Sequence, residues 1–428
     1  MERYSEYKDS GVKWLGEIPS HWELLKSKYL WKETFENSTS GKEDLLSVSQ
    51  YTGVTKSKAD SRSESLVGYK IVHKDDLVIN IMLAWLGGLG VSNDEGVVSP
   101  AYCTYKLIRD YNPKFLHYLY KTPMYLAEFA RHSTGVVPSR WRMYTDDFGQ
   151  VVSLLPPVEE QDAIVRYLDA ATSKIDKAIA MQQKMIDLLN ERKQIIIQNA
   201  VTKGLDENVE MKDSGDRWIG LFPSIWTTRR LNFSSWIRAR LGWKGLKASE
   251  YVDNGYPFLS AFNIVNDKIK WEKLNFINKY RYDESPEIKL SVGDILLVKD
   301  GAGIGKCARI DELPCGESTT NGSLAVITAN YFVDYRYLYY FMISKSFKDH
   351  TELLINGMGV PHFTQGEMKK VVIPVPPKFD QQAVADYLGK QMQRFDSAIT
   401  NCQRQIALLQ ERKQIIINEV VTGKVKVL

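Results

Sequence analysis

The stretch that most limits what this chain can fold into runs from Pro156 to Thr202. It opens on a proline pair and then holds neither proline nor glycine until Gly204. From Ile164, apolar or small residues return at Leu168, Ala171, Ile175, Ala178, Met185, Leu189 and Ile196, in steps of three and four or their sums. That is the period of a helix burying one seam against another helix. As one helix from Glu159 to Thr202 it would reach roughly 66 Å, longer than a compact domain needs. The stretch therefore reads as a spacer.

The chain carries the device twice. Pro376-Pro377 opens a second stretch in which Gln381, Tyr387, Leu388, Asp396, Ile399, Gln403, Leu408 and Leu409 each lie 220 positions after an identical residue (388 − 168 for the leucine). Glu191 to Ile197, ERKQIII, returns unchanged as Glu411 to Ile417. The seam of the pair is assigned to Ile164, Leu168, Ile175, Met185, Leu189 and Ile196 on one helix and Leu388, Phe395, Leu409 and Ile416 on the other, the same surface being the candidate for docking a partner. A shorter tract is also repeated: Lys8 to Trp22 has its copy in Lys212 to Trp226, with glycines, a proline and two tryptophans kept at fixed offsets. Such spacing implies a specific bent path anchored by the indoles.

These repeats divide the chain into an N-terminal tract (1–22), a first globular segment (23–155), a central long helix (156–205), a linker that copies the tract (206–226), a second globular segment (227–375) and a C-terminal long helix (376–428). Asp75 to Ile81 and Gly293 to Val298 read as matching buried strands. Val97 to Leu107 predicts one or two more, and Phe115 to Phe129 and Val333 to Phe347 predict helices with aromatic faces. Val151 to Leu155 and Val371 to Val375 close the segments as strands. Strand and helix mix without a βαβ rhythm, so the expected class is α+β: two similar α+β domains separated by two long antiparallel coiled-coil helices, related by an internal pseudo-two-fold repeat. The frames agree while the interiors diverge, as expected of one task performed on two targets.

Composition excludes several classes. A hydrophobic share of 44% with 25% charge suits a soluble globular protein of two or three domains, and a net charge of +4 does not by itself mark a nucleic-acid binder. Four cysteines without a CxxC pair predict reduced thiols, not a zinc site or a disulfide frame. The polar start and the lack of a long apolar run predict a cytoplasmic protein without a membrane span. Gly301 to Lys306 resembles a phosphate loop but misses the Walker spacing, with Asp300 and Cys307 where glycine and Ser/Thr belong. Two readings of it stand: a turn that offers backbone N–H groups and Lys306 to a DNA phosphate, or a structural turn. The six histidines form no HExxH motif and no GxSxG elbow occurs, so no catalytic residue, metal ligand or cofactor is assigned.

Basic residues cluster locally. Arg229, Arg230, Arg238, Arg240, Lys244 and Lys247 lie in an acid-free stretch with Trp236 and Trp243. Arg131, Arg140, Trp141 and Arg142 lie in another, and Lys56, Lys58 and Arg62 occupy a Ser/Thr-rich loop. Guanidinium groups beside aromatic rings on loops suit phosphate contact and guanine readout, or else form a solvated face. The central helix from Val158 to Lys203 carries seven basic and seven acidic residues, net zero, so it is not the DNA-facing surface.

Taken together the chain resembles the specificity subunit of a type I restriction–modification system. The resemblance rests on two variable segments, each closed by a PPxxEQ-like turn (Pro156 to Gln161; Pro376 to Gln381) and a long helix ending in ERKQIII, and each preceded by a GxxPSxW-like motif (Gly16 to Trp22; Gly220 to Trp226). The second turn departs in having Phe379-Asp380 where the first has Glu159-Glu160. The resemblance implies that each variable segment is a target recognition domain reading one half of a split site in double-stranded DNA. It implies helices that set the half-site spacing, two methylation subunits docked on the repeated frame, restriction subunits in the full complex, and no catalysis by the chain itself. The competing classes are a stand-alone DNA methylase or nuclease, which would act without partners, and a coiled-coil adaptor with no nucleic-acid role.

Overall fold

The computed structural model describes residues 2–57, 65–137, 140–240, 246–301, 303–354 and 362–427. The chain forms two compact units: residues 1–183 with 403–428, and residues 184–402. Both long helices, Val158–Lys203 and Lys378–Val421, contribute to each unit.

In the first unit a four-stranded antiparallel sheet has the order Trp31–Thr34, Tyr102–Leu107, Leu77–Asn80, Leu89–Val91. In the second the order is Ser235–Arg238, Leu324–Ala329, Ile295–Val298, Cys307–Arg309. Each centre strand, LVIN or ILLV, is buried along its whole length, as an apolar run between two packed faces must be. The remaining frame matches as well. A hairpin of Tyr7–Asp9 with Glu17–Pro19 has its counterpart in Met211–Asp213 with Leu221–Pro223. The closing strand Val152–Leu155 pairs with Glu23–Lys26 as Val372–Val375 pairs with Thr227–Arg230. The aromatic helices come out in two pieces, Pro113–Tyr120 with Pro123–Arg131 and Tyr335–Met342 with Lys345–Leu354. In the first unit the break is a proline starting a new helix, where its missing N–H costs nothing.

The Pro–Pro turns show why the repeat is kept. Proline cannot continue a strand ladder, so the closing strand ends there. The buried Gln161 side chain then ties the turn to the domain: its Nε2 donates to the Pro156 carbonyl at 2.7 Å and its Oε1 accepts the Asn112 N–H at 2.9 Å. Asn112 in turn caps the helix Pro113–Tyr120. Gln381 repeats this with the Pro376 carbonyl at 2.7 Å and the Asp334 N–H at 2.6 Å, and Asp334 caps Tyr335–Met342.

Antiparallel packing of the long helices is visible inside each unit. Lys413 Nζ meets Asp176 at 2.7 Å in the first, and Lys193 Nζ meets Asp396 at 2.9 Å in the second. These are one pair made twice, because Asp176 and Asp396, like Lys193 and Lys413, are repeat mates. Burial alone would raise the Asp396 carboxyl, but hydrogen bonds from Lys268 and Lys193 outweigh it and hold the pKa below the ordinary value. Ile164, Leu168 and Leu388 are fully buried, Ile175 is buried, and Leu189, Ile196, Phe395, Leu409 and Ile416 are half-buried along the seam. Met185 is a correction: it is 50% exposed, and Ile186 takes the buried position at 7%. At Gln182 the helix pair is bridged by a polar contact, Nε2 to Gln405 Oε1 at 3.1 Å, so a count of apolar steps passes over that turn and lands one residue off.

Replacing Gln161 with alanine strands the half-buried Asn112 N–H and the buried Pro156 carbonyl. Chemical denaturation should show a loss of about 1–3 kcal/mol, with Gln381→Ala giving a similar loss.

Candidate nucleic-acid interface and docking frame

The helix ends close onto the repeated tract through a tryptophan. Trp22, fully buried, donates its Nε1–H to Glu160 at 3.3 Å, and Trp226 donates to Asp380 at 3.2 Å. The glycine after each helix has positive φ, Gly423 at 73° and Gly204 at 79°, the conformation that ends helices. A Cβ on Gly423 would lie 2.6 Å from Pro19, and one on Gly204 would lie 3.2 Å from Trp226. Backbone and indole thus meet where only glycine fits.

On this frame each unit brings the same two loops together. In the first unit the loop after the centre strand meets the segment before Thr145–Gln150 through Met143 N–H to the Ile81 carbonyl at 3.0 Å. In the second, Phe363 N–H donates to the Lys299 carbonyl at 2.8 Å, just before Gln365–Lys370. The first loop pair carries Trp85 against Trp141, with centroids 5.3 Å apart, between the exposed Arg140 and the half-buried Arg142. Arg142 reaches Met82 Sδ at 3.9 Å, and Met82, Leu83 and Leu86 are each about two-fifths exposed. The second pair carries the exposed Lys306 on its glycine turn and His362 on Asp300 at 2.7 Å. Two clusters that the sequence presents separately therefore sit on corresponding loop pairs, but on opposite members: Arg140-Trp141-Arg142 on the segment before the short helix, Lys306 on the loop after the centre strand. Trp85 escaped the sequence reading because it is remote along the chain from Trp141.

The other candidate cations divide by partner. Arg238 Nη2 forks onto Asp294, a residue 1% exposed, at 3.1 and 3.0 Å, while Nη1 takes the Glu287 and Lys289 carbonyls. Arg240 meets Glu284 at 3.4 Å and is 10% exposed. Both are tied into their unit by acids remote in sequence, so the acid-free stretch around them is not acid-free in space. Arg131 forks onto the buried Glu128, whose carboxyl is held below its ordinary pKa chiefly by that hydrogen bond. Lys56 pairs with Asp44 at 2.6 Å with both exposed, a contact of little energetic weight. Arg229 lies 4.0 Å over the Phe332 ring, and Arg230 and Lys247 are exposed. Lys58, Arg62 and Lys244 lie outside the described residues. Among the described residues no cluster of His, Cys, Asp or Glu could hold a metal ion, and no helix is long and apolar enough to cross a membrane.

Off the seam, the helices expose a second apolar stripe. Leu188 and Ile195 are 50% and 51% exposed in the second unit, and their repeat mates Leu408 and Ile415 are 54% and 47% exposed in the first. Soluble helices seldom keep such side chains twice without use. The signal was available in the repeat itself, as identical leucines and isoleucines that the seam does not need.

A model of the type I restriction modification DNA specificity domain matches residues 243–410. The type I restriction enzyme MjaVIII specificity subunit of Methanocaldococcus jannaschii is 28% identical over 276 residues, 64% of this chain and 62% of that protein, so the match spans less than two thirds of that relative. The putative MjaX specificity subunit of the same organism is 22% identical over 445 residues, 96% of each chain. In sequence the chain is thus similar to type I restriction–modification specificity subunits. A chain solved in work on complex assembly and conformational transition of the type I R-M system shares the fold, with a TM-score of 0.69 at 16% identity over 95% of this chain and 99% of that one.

The ion pairs separate arginines that hold the fold from cations that stay exposed. Arg238→Ala leaves Asp294 buried and unpaired and should cost about 3–5 kcal/mol in a denaturation experiment. Arg140→Ala and Lys306→Ala should leave stability nearly unchanged. Each should instead lower DNA affinity and reduce the slope of log K against log salt by about one in a titration at several salt concentrations.

Proposed function

We propose that this chain is the DNA-recognition subunit of a type I restriction–modification complex and catalyses nothing itself. Each unit reads one half of a bipartite site in double-stranded DNA through its loop pair. Arg140 and Arg142 with Trp85 and Trp141 serve the first half-site, and Lys306 with the turn around it serves the second. The observation that carries the reading is the paired one: an identical frame presents two loops in the same way twice, with different side chains on them. Phosphate contacts set register and base-edge contacts set sequence, so a kept frame with changed loop residues is what two half-sites of different sequence require.

The long helices serve the complex in a different way. With a net charge of zero on the central helix and +1 (six basic, five acidic residues) on the second, their surface does not attract DNA, whereas the repeated stripe of Leu188, Ile195, Leu408 and Ile415 gives a methylation subunit the same apolar handhold in either unit. Two such subunits on two like surfaces, joined by restriction subunits in the full assembly, fit the duplication. The host DNA places this work in the cytoplasm. Helix length fixes the spacing between half-sites.

Removing one heptad from each helix at paired positions should shorten the preferred spacer by about three base pairs and leave both half-site sequences unchanged, as read from methylated sites. An unchanged spacer would refute the ruler.

A further inference from the structure

Beneath the loop pair of the first unit lies a lysine whose place in the second is taken by an isoleucine. Lys121 follows the helix Pro113–Tyr120, and its Nζ donates to three backbone carbonyls: Gly87 at 2.7 Å, Gln50 at 2.8 Å and Leu89 at 3.5 Å. At the same step after the Asp334 cap the second unit has Ile343, 2% exposed. Withdrawing an ammonium from water is costly, and here it lowers the Lys121 pKa to about 8. Carbonyl dipoles from two separate loops offset that cost, so the charge and the loops hold one another.

The two loops are remote in sequence and touch through bare backbone. Gly87 and Leu89 close the loop that carries Trp85, while Gln50 belongs to the turn that joins Leu46–Ser49 to Gly53–Lys56. A Cβ on Gly90 would lie 3.1 Å from the Gly53 Cα, and one on Gly87 would lie 3.5 Å from the Gln50 carbonyl oxygen. His117, one helical turn before Lys121, braces the same contact: its Nδ1 accepts the Val91 N–H at 3.1 Å. Burial lowers its pKa to about 4, so it is neutral at pH 7 and adds no second charge beside the ammonium. The turn held in this way carries Tyr51, 85% exposed, whose N–H donates to Ser49 Oγ at 3.1 Å.

We infer that the turn 49–53 is a third DNA-contacting loop of the first unit, and that Lys121 is the positioning residue that fixes it against the loop of Trp85. The inference rests on the reading of the Trp85 loop as a DNA contact. Tyr51 brings a phenol hydroxyl to the duplex, a donor for a phosphate oxygen beside the bases that Arg140 and Arg142 meet. Lys121 touches no DNA. It holds the loop that reads and the loop that grips in one register, as a rigid support must for a contact surface built from separate segments. In that part of its chain the second unit builds the strands around Tyr256–Leu259 instead, so the device serves one half-site.

The test uses the full chain assembled with its methylation subunit, and competition binding against duplexes changed one base at a time in either half-site of the mapped methylation site. Lys121→Met keeps the length of the stem and removes the donors. It should reduce discrimination at the first half-site by about tenfold, leave discrimination at the second unchanged, and speed amide exchange at residues 49–53 and 84–89. Tyr51→Phe removes only the hydroxyl; it should weaken DNA binding by about tenfold at unchanged stability and unchanged discrimination. A Lys121→Met chain that loses discrimination at both half-sites alike, or loses stability while keeping discrimination, overturns the inference. So does Tyr51→Phe binding as tightly as the native chain, a measurement that decides the matter alone if Lys121→Met does not fold. A native complex that shows no sequence-specific DNA binding counts instead against the reading of the loops and removes the inference with it.

Discussion

The structure of each unit depends on an indole locked at the end of a long helix. Trp22 on Glu160 and Trp226 on Asp380 join three parts remote in sequence: the glycine-rich tract, the first turn of one long helix and the glycine that ends the other. Burying an aromatic ring of this size is worth a few kcal/mol, and the single polar atom it carries is satisfied by a carboxylate placed at a helix N-terminus, where negative charge is favoured. The Gln161 and Gln381 amides then bind the same turn to the cap of the next helix. A loop held by such a frame keeps its place whatever side chains it carries, which is what a recognition surface that must vary requires.

The frame also explains which parts of the molecule could be seen in advance. Repeated residues were legible because the frame's contacts are few, specific and made twice: both tryptophans, both Pro–Pro turns, both glutamines and the ERKQIII ends. The matching sheet orders followed from matching apolar strands. The short hairpin Leu46–Ser49 with Gly53–Lys56 and the strand trio around Tyr256–Leu259 carry no such repeat and belong to one unit each. They are fixed by packing between residues distant in sequence, which no local period records.

The misreadings have the same origin. Met185 lay on a helical period that continues only if every seam position is apolar, and the Gln182–Gln405 bridge breaks that condition. Arg238 and Arg240 sat in a stretch without acids, yet Asp294 and Glu284 reach them through the fold. Charge counted along a chain predicts solvated cations; charge counted in space decides which remain free. Arg140 and Lys306 stay exposed, each on the loop pair that the frame presents in its own unit.

The duplication thus separates a repeated scaffold, which holds, from the loops that differ, which we propose to be the readers. The most direct test exchanges residues 23–155 for the corresponding segment of a type I specificity subunit and maps methylated sites in a host carrying the assembled system. A change confined to one half-site, with the other half-site and the spacer kept, is the predicted result. A change in both half-sites would contradict the account.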